Sequence, residues 1–351
     1  MTYELLSRSA HDTGLDDRSV QCIVTSPPYW GLRKYTGDQG IEWPSVDYAP
    51  MPGLPELHIE PMTCELGLEP TPEMYIGHMV LVMRECWRVL RDDGVMFVNL
   101  GDSYASNPAS GGSVSSGLNA KRDDTGALSA DNKSQGITPR NPKWERPPGL
   151  KPKDLCGMPW RLAFALQADG WYLRSDIIWS KKNPMPESVK DRPTKAHEYL
   201  FLLSKQKSYY YDAYAVREDA QYGRREWSNV ESVLASATTA YDKRDNHGIR
   251  TSASVTGGDP SAGRNRRTVW TIATQPTPFA HFATFPQKLV EPCVLAGSRR
   301  GDTVLDPFSG SGTVGIVALE HGRHYIGIDI SDEYNRDLAT KRLDSVQPRL
   351  L

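Results

Sequence analysis

The chain has 351 residues, with 41 Lys and Arg against 43 Asp and Glu and a formal net charge of −2, a length that suits one large domain or a domain carrying an insertion. Near-neutrality excludes a globally basic nucleic-acid coat but leaves room for a local basic face. Apolar residues make up 38%, and no run approaches the roughly 18 apolar residues of a membrane span, so no membrane partner is expected.

The N-terminal MTYELLSRSAHDTG has no basic-then-apolar leader pattern, and a cytoplasmic location is expected. Cys22, Cys64, Cys86, Cys156 and Cys293 are scattered without a C-x-x-C pair, which argues against disulfides and structural zinc. No metal is expected.

In chain order, SVQCIVTS (19–26) reads as a strand that ends abruptly in Pro27-Pro28. Residues 36–70 are rich in Pro and Gly without a sustained period, and read as a loop or small cap. From Pro72, PEMYIGHMVLVMRECWRVLR has apolar residues at helical spacing; Gly94 is expected to end that helix before the buried strand VMFVNL. Residues 105–150 are polar, small and aperiodic, too poor in apolar surface to offset their ordering entropy, so a flexible insertion is expected. A helix is expected over 154–169, a strand at WYLRSDIIWS, and a hairpin made by HEYLFLLSK with SYYYD. From 215 to 268 the chain is again polar and basic. The last ordered stretch, 269–345, reads as a helix, the strand TVLD, a Gly-rich turn, a second helix and HYIGIDI.

Two segments carry chemistry. Asp306-Pro307-Phe308-Ser309-Gly310-Ser311-Gly312-Thr313 lies between a strand and a helix start, where glycine permits close backbone approach to a nucleotide-like cofactor. It lacks the Lys of a triphosphate-binding loop and is read as falling short of the full G-x-G-x-x-G of dinucleotide binders. Asp329, at the tip of the next strand, stands where a carboxylate can grip a ribose diol. Thr25-Ser26-Pro27-Pro28-Tyr29-Trp30 offers a hydroxyl, carbonyls fixed by two prolines, and two aromatics. An exocyclic amine on a base could donate to Ser26 Oγ and a proline carbonyl while Tyr29 stacks on the ring. Pro292-Cys293 sits inside an apolar helix and reads as core. His197-Glu198 has no H-E-x-x-H spacing and reads as strand packing or local hydrogen bonding.

These two motifs, in this order, resemble the β group of S-adenosylmethionine (AdoMet)-dependent DNA amino-methyltransferases. The likeness extends through NLGDSYA, GMPWRLAFALQADGWYLRSDIIWSKKNPMPESVKDRPTKAHEYLFLLSK and HFATFPQKLVEPCVLAGSRRGDTVLDPFSGSGT. The resemblance implies an α/β, Rossmann-like methyltransferase fold, circularly permuted so that the catalytic motif precedes the cofactor motif, with a small target-recognition insertion. The catalytic domain would comprise 1–214 and 269–351, and 215–268 would be the target-recognition region.

Within the family, S-P-P-Y accompanies N4-cytosine methylation and D-P-P-Y is commoner among N6-adenine enzymes. The catalytic set implied is Ser26, Pro27, Pro28 and Tyr29. The implied AdoMet contacts are Asp306, Pro307, Phe308, Gly310, Gly312, Thr313 and Asp329, with Phe285, Pro286 and Gln287 from the segment before the last helix pair. Many relatives carry a G-D pair before the first strand; here that region reads LLSRSAHD, leaving only Asp12 as its counterpart. The implied partner is double-stranded DNA, contacted by Lys181 and Lys182 beside Asn183-Pro184 and by Arg264, Arg266 and Arg267, since arginine and lysine suit phosphates and guanine edges. An N6-adenine enzyme on the same scaffold and a catalytically silent DNA-binding relative are the alternatives. A cognate restriction endonuclease and the oligomeric state are left open.

Overall fold

A computed structural model describes residues 2–31, 40–105, 149–219, 263–275, 285–332 and 338–346. Nearly all of the expected insertion at 105–150 and most of the 215–268 region lie outside these residues. The chain divides into two compact units, residues 1–212 with 268–351, and residues 213–267.

The first unit is organised by one eight-stranded sheet. Its strands are β1 (Tyr3–Ser7), β2 (Val20–Thr25), β7 (Leu90–Leu100), β8 (Tyr172–Lys181), β9 (His197–Ser204), β10 (Val269–Ile272), β11 (Thr303–Asp306) and β12 (His324–Asp329). Their spatial order is β1-β12-β11-β2-β7-β9-β8-β10. Every pairing is parallel except those of β9, which runs antiparallel to both β7 and β8. All six residues of β2, VQCIVT, are buried, as a central strand covered on both faces requires.

Helices cover both faces. On one side α1 (Pro72–Val89) and α2 (Met158–Ala168) share an apolar core with Ile23, Met96, Val98 and Leu305. On the other, α3 (Gln287–Gly297), α4 (Thr313–Glu320) and α5 (Thr340–Asp344) pack over Cys22, Val24, Val95, Phe97 and Val304. This is the doubly wound α/β architecture expected, and the β2 motif does precede the β11 motif along the chain. β11 and β2 are neighbours whose following helices, α4 and α1, lie on opposite faces. The carboxyl ends of these two strands therefore border the crevice where open α/β sheets bind ligands.

Several expectations need correction. Gly94 does not end α1. The helix starts on Thr71, whose side chain accepts from Met74 N at 3.2 Å, and stops at Val89. Leu90 already pairs with Val20, and the register then shifts so that Cys22 faces Val95. Gly94 sits within that bulge, where an added Cβ would lie 2.8 Å from Gln21 O. Of the stretch 36–70, read as a loop or small cap, residues 40–70 carry two small two-stranded sheets. β3 (Ile41–Trp43) pairs with β6 (Met62–Cys64) and β4 (Val46–Tyr48) with β5 (Leu57–Ile59), both antiparallel. At three residues each, these strands are too short to show alternation.

SYYYD forms no strand with β9; the partner of β9 on that side is β8, across a connection over 182–196. VWTI, given no element of its own in the 269–345 stretch, is the parallel edge strand β10. The helix expected over 154–169 begins only at Met158, where the Asp102 carboxylate accepts from Gly157 N and Met158 N at 3.1 and 3.0 Å. In the described residues no helix is long and apolar enough to cross a membrane.

Candidate active site

The two motifs, represented by Thr25 and Asp306, are 281 residues apart in sequence and meet at the ends of β2 and β11. Thr25 Oγ1 donates to Asp306 Oδ1 at 2.7 Å, and Phe308 N donates to the same oxygen at 3.0 Å. Asp306 is buried, and that burial pushes its carboxyl up to about 7 despite the two donors.

The glycine-rich turn follows directly. Gly310 has φ +47°, and an added Cβ there would meet nothing nearer than Phe308 O at 4.0 Å. Its N–H donates to Asp329 Oδ2 at 2.9 Å, while Ser331 N donates to Asp329 Oδ1 at 2.9 Å. Burial raises the Asp329 carboxyl above its ordinary value. Asp329 thus stands at the tip of β12, where it was expected, and also latches the turn.

Gly312 comes next along the turn. It has φ +72° and caps α4, but its missing Cβ points at Ala339, 3.4 Å away, on the α5 side. An added Cβ would meet Ala339 and Leu343 at ordinary contact distance, so it is the left-handed φ that favours glycine here. The reading that the turn falls short of G-x-G-x-x-G is corrected by Gly315, which completes that spacing with Gly310 and Gly312. An added Cβ there would lie 2.5 Å from the Tyr325 ring and 2.7 Å from Leu343, so this glycine allows close helix–strand packing. Thr313 and Pro307 are buried, and Phe308 is half-buried. Pro286 caps α3, Gln287 is its first residue, and Phe285 lines a narrow cleft with Val24, Thr25, Asn99 and Leu200.

At the end of β2, Ser26, Pro28 and Tyr29 are half-buried and Pro27 is buried. Ser26 Oγ donates to Tyr29 Oη at 3.3 Å. The Tyr29 hydroxyl in turn faces Asn99 Oδ1 at 3.1 Å and Glu198 Oε2 at 2.9 Å. Burial and the Glu198 charge hold the phenol well above its ordinary range, hence protonated and donating. Gly101 lies against the ring, where an added Cβ would come within 2.6 Å. Trp30 does not present itself beside Tyr29; it is buried, with Nε1 donating to Glu69 O at 3.0 Å.

Glu198 is the residue whose role the sequence concealed. Its Oε1 accepts from Lys181 Nζ, and that ammonium also lies 4.7 Å from the Trp179 ring centroid. Lys181, expected on DNA, is therefore half-buried and engaged beside Tyr29, whereas Lys182 is exposed. Asn99, on β7, was likewise unread. Only the pairing of β7 with β9, which sets Asn99 opposite Leu200, brings Asn99 and Glu198 to one phenol. Cys293 is fully buried, with Sγ donating to Leu289 O, as a core thiol.

In the second unit, Arg264 and Arg267 both pair with Glu218, at 3.4 and 3.1 Å. Arg266 is half-buried. Glu218 therefore holds two of the three arginines expected on DNA. One group of possible metal donors occurs in the described residues, Cys64, Glu69 and His78. Glu69 Oε1 and His78 Nδ1 are 3.0 Å apart and bond each other, and burial beside Glu69 pushes the Cys64 thiol up to about 12.

A family model described as DNA methylase, covering N6 and N4 methyltransferases, matches residues 20–341. Type II methyltransferase M.Cfr9I of Citrobacter freundii is 42% identical over 94% of this chain and 83% of its own length. Type II methyltransferase M.SmaI of Serratia marcescens is 42% identical over 94% and 86%. Among solved structures, PvuII DNA methyltransferase (cytosine-N4-specific) aligns over 98% of this chain and 91% of its own, with TM-score 0.55 and 16% identity. A protein of Thermus thermophilus described as a DNA modification methylase, complexed with S-adenosyl-L-methionine, aligns over 99% and 96% with TM-score 0.51 and 19% identity. At these identities the two structures speak for the fold.

Proposed function

The chain belongs to the N6/N4 DNA methylase family, the DNA amino-methyltransferases, and from that premise we propose that it methylates the exocyclic N4 amino group of cytosine in double-stranded DNA, with base flipping and direct in-line transfer. The observation that supports this reading is the Thr25–Asp306 hydrogen bond, because it ties the strand end that leads into Ser26 to the start of the glycine-rich turn.

The turn fits AdoMet. Gly310 is open where an approaching group would need room, and Asp306 and Asp329 supply two carboxylates at the carboxyl ends of adjacent strands. Asp306, Pro307, Phe308, Gly310, Gly312, Thr313 and Asp329 would hold it, with Phe285, Pro286 and Gln287 from the start of α3. When bound it supplies an electrophilic sulfonium methyl group.

The difficulty lies with the acceptor, whose nitrogen lone pair is delocalised into the base. Ser26 Oγ and the Pro27 carbonyl accept the two amine protons and draw the nitrogen toward a tetrahedral, nucleophilic geometry. Positioning then converts a bimolecular encounter into an effectively unimolecular one. Extruding the base costs a few kcal/mol, partly offset by stacking on Tyr29, whose ring is anchored by Asn99, Glu198 and Gly101.

Cytosine is favoured by Ser26 itself. Cytosine presents a ring nitrogen and a carbonyl oxygen, both acceptors, on the edge bearing its amine. A carboxylate beside them would be repelled and costly to bury, whereas a neutral hydroxyl can donate as well as accept. For DNA contact the reading keeps Lys182, Arg264, Arg266 and Arg267, and moves Lys181 to the support of Glu198. Expression in a methylation-free host, followed by sequencing of its DNA for modified-base type and context, tests the reading. N4-methylcytosine at one recurring site supports it, and N6-methyladenine alone would replace cytosine by adenine on the same scaffold.

A further inference from the structure

The backbone after Ser26 is held from one side by a single stretch of chain. Tyr75, fully buried on α1, donates its hydroxyl to the Pro28 carbonyl at 2.9 Å. Gly31 N donates to Gly67 O at 2.8 Å, and Trp30 Nε1 donates to Glu69 O at 3.0 Å. Gly67 has φ +93°, and an added Cβ would lie 3.0 Å from Tyr29 O. Glu69 closes its own turn by accepting from Gly67 N at 2.8 Å, and its other carboxylate oxygen bonds His78 of α1 at 3.0 Å. Glu69 and His78 are both completely buried.

We propose that Gly67, Glu69, Tyr75 and His78 form a clamp on the catalytic loop, in which Tyr75 is a positioning residue for methyl transfer. By occupying the Pro28 carbonyl, Tyr75 leaves the Pro27 carbonyl, which has no partner among the described residues, as the proline oxygen offered to the amine beside Ser26. Gly67, Glu69 and His78 fix where that loop begins to turn away. None of these hydrogen bonds reaches Asp306 or the Gly310 turn, so the clamp's effect is expected on the reacting geometry rather than on cofactor affinity. This inference rests on the amine-methylating reading of Ser26–Tyr29, but not on which base carries the amine.

The test compares Tyr75→Phe with Tyr48→Phe. Tyr48 is also buried and donates to a backbone carbonyl of the same helix, Glu73 O at 2.9 Å, away from the loop. The two variants lose the same kind of bond, so a purely structural role affects both alike. On one DNA substrate, Tyr75→Phe should lower kcat by roughly ten- to a hundred-fold, the scale for a misplaced reacting group. Its AdoMet Kd and DNA KM should stay within about two-fold, while Tyr48→Phe keeps kcat. Gly67→Ala, which crowds the Tyr29 carbonyl, should repeat the kcat loss. Equal kcat in Tyr75→Phe and Tyr48→Phe, or a loss in Tyr75→Phe that tracks a weakened AdoMet Kd, would overturn the clamp. The wild-type product, identified separately as N4-methylcytosine or N6-methyladenine, tests the base assignment without bearing on this ratio.

Discussion

Replacing Asp306 by asparagine should make the protein's stability less dependent on pH. The buried carboxyl has its proton affinity raised from the ordinary 3.8 to about 7, so the folded state favours the neutral form. Stability from this group is therefore fully present below about pH 4 and is lost as pH rises through about 7. At about 1.4 kcal/mol per tenfold change in proton affinity, the whole effect is about 4 kcal/mol, of which about 2–3 kcal/mol falls between pH 5 and pH 8. Asparagine keeps an oxygen for Thr25 Oγ1 and Phe308 N and cannot ionise. Urea unfolding of both proteins at the two pH values reads the difference directly: the variant should gain on the wild type by that amount on going to pH 8. Parallel stability–pH curves would show that Asp306 is not held neutral, and would refute the desolvation argument.

AdoMet carries cationic groups that favour the ionised form of Asp306, so its affinity should strengthen from pH 6 to pH 8; calorimetry in two buffers should show proton release at pH 6, and a flat affinity would count against Asp306 as a contact. Gly310→Asp should abolish AdoMet binding in a folded protein, by filling the open position and adding a third carboxylate, whereas Gly312→Ala should mainly lower Tm by straining a left-handed residue packed on Ala339. Tyr29→Phe keeps the stacking ring but removes a donor to Asn99 and Glu198, and should cost about 1–3 kcal/mol in urea unfolding with turnover largely retained; loss of turnover at full stability would give the hydroxyl a chemical role.

The parts of the site legible in the sequence were those whose chemistry is local. Ser26–Tyr29 and Asp306–Thr313 each follow a short apolar strand and declare themselves by composition, and β11 and β12 fall where TVLD and HYIGID stand. The Rossmann-like α/β sheet was implied by the family resemblance that these two motifs carry. What escaped depends on distant pairing. Glu198 looked like a strand residue because its partners, Tyr29 and Lys181, reach it only through the antiparallel insertion of β9 between β7 and β8. Gly94 looked like a helix stop because the bulge that needs it is made with Gln21, far upstream. Tyr75 read simply as one apolar position of an amphipathic helix.

The most direct measurement of the central claim is the chemical identity of the methylated base. DNA incubated with the purified protein and isotopically labelled AdoMet, digested to nucleosides and resolved by mass spectrometry, should carry the label in N4-methylcytosine. Ser26→Ala should bind AdoMet as the wild type does yet lose most of that label, since the hydroxyl acts in the transition state. Label found solely in N6-methyladenine, or undiminished in Ser26→Ala, would contradict the assignment of Ser26 to the cytosine amine.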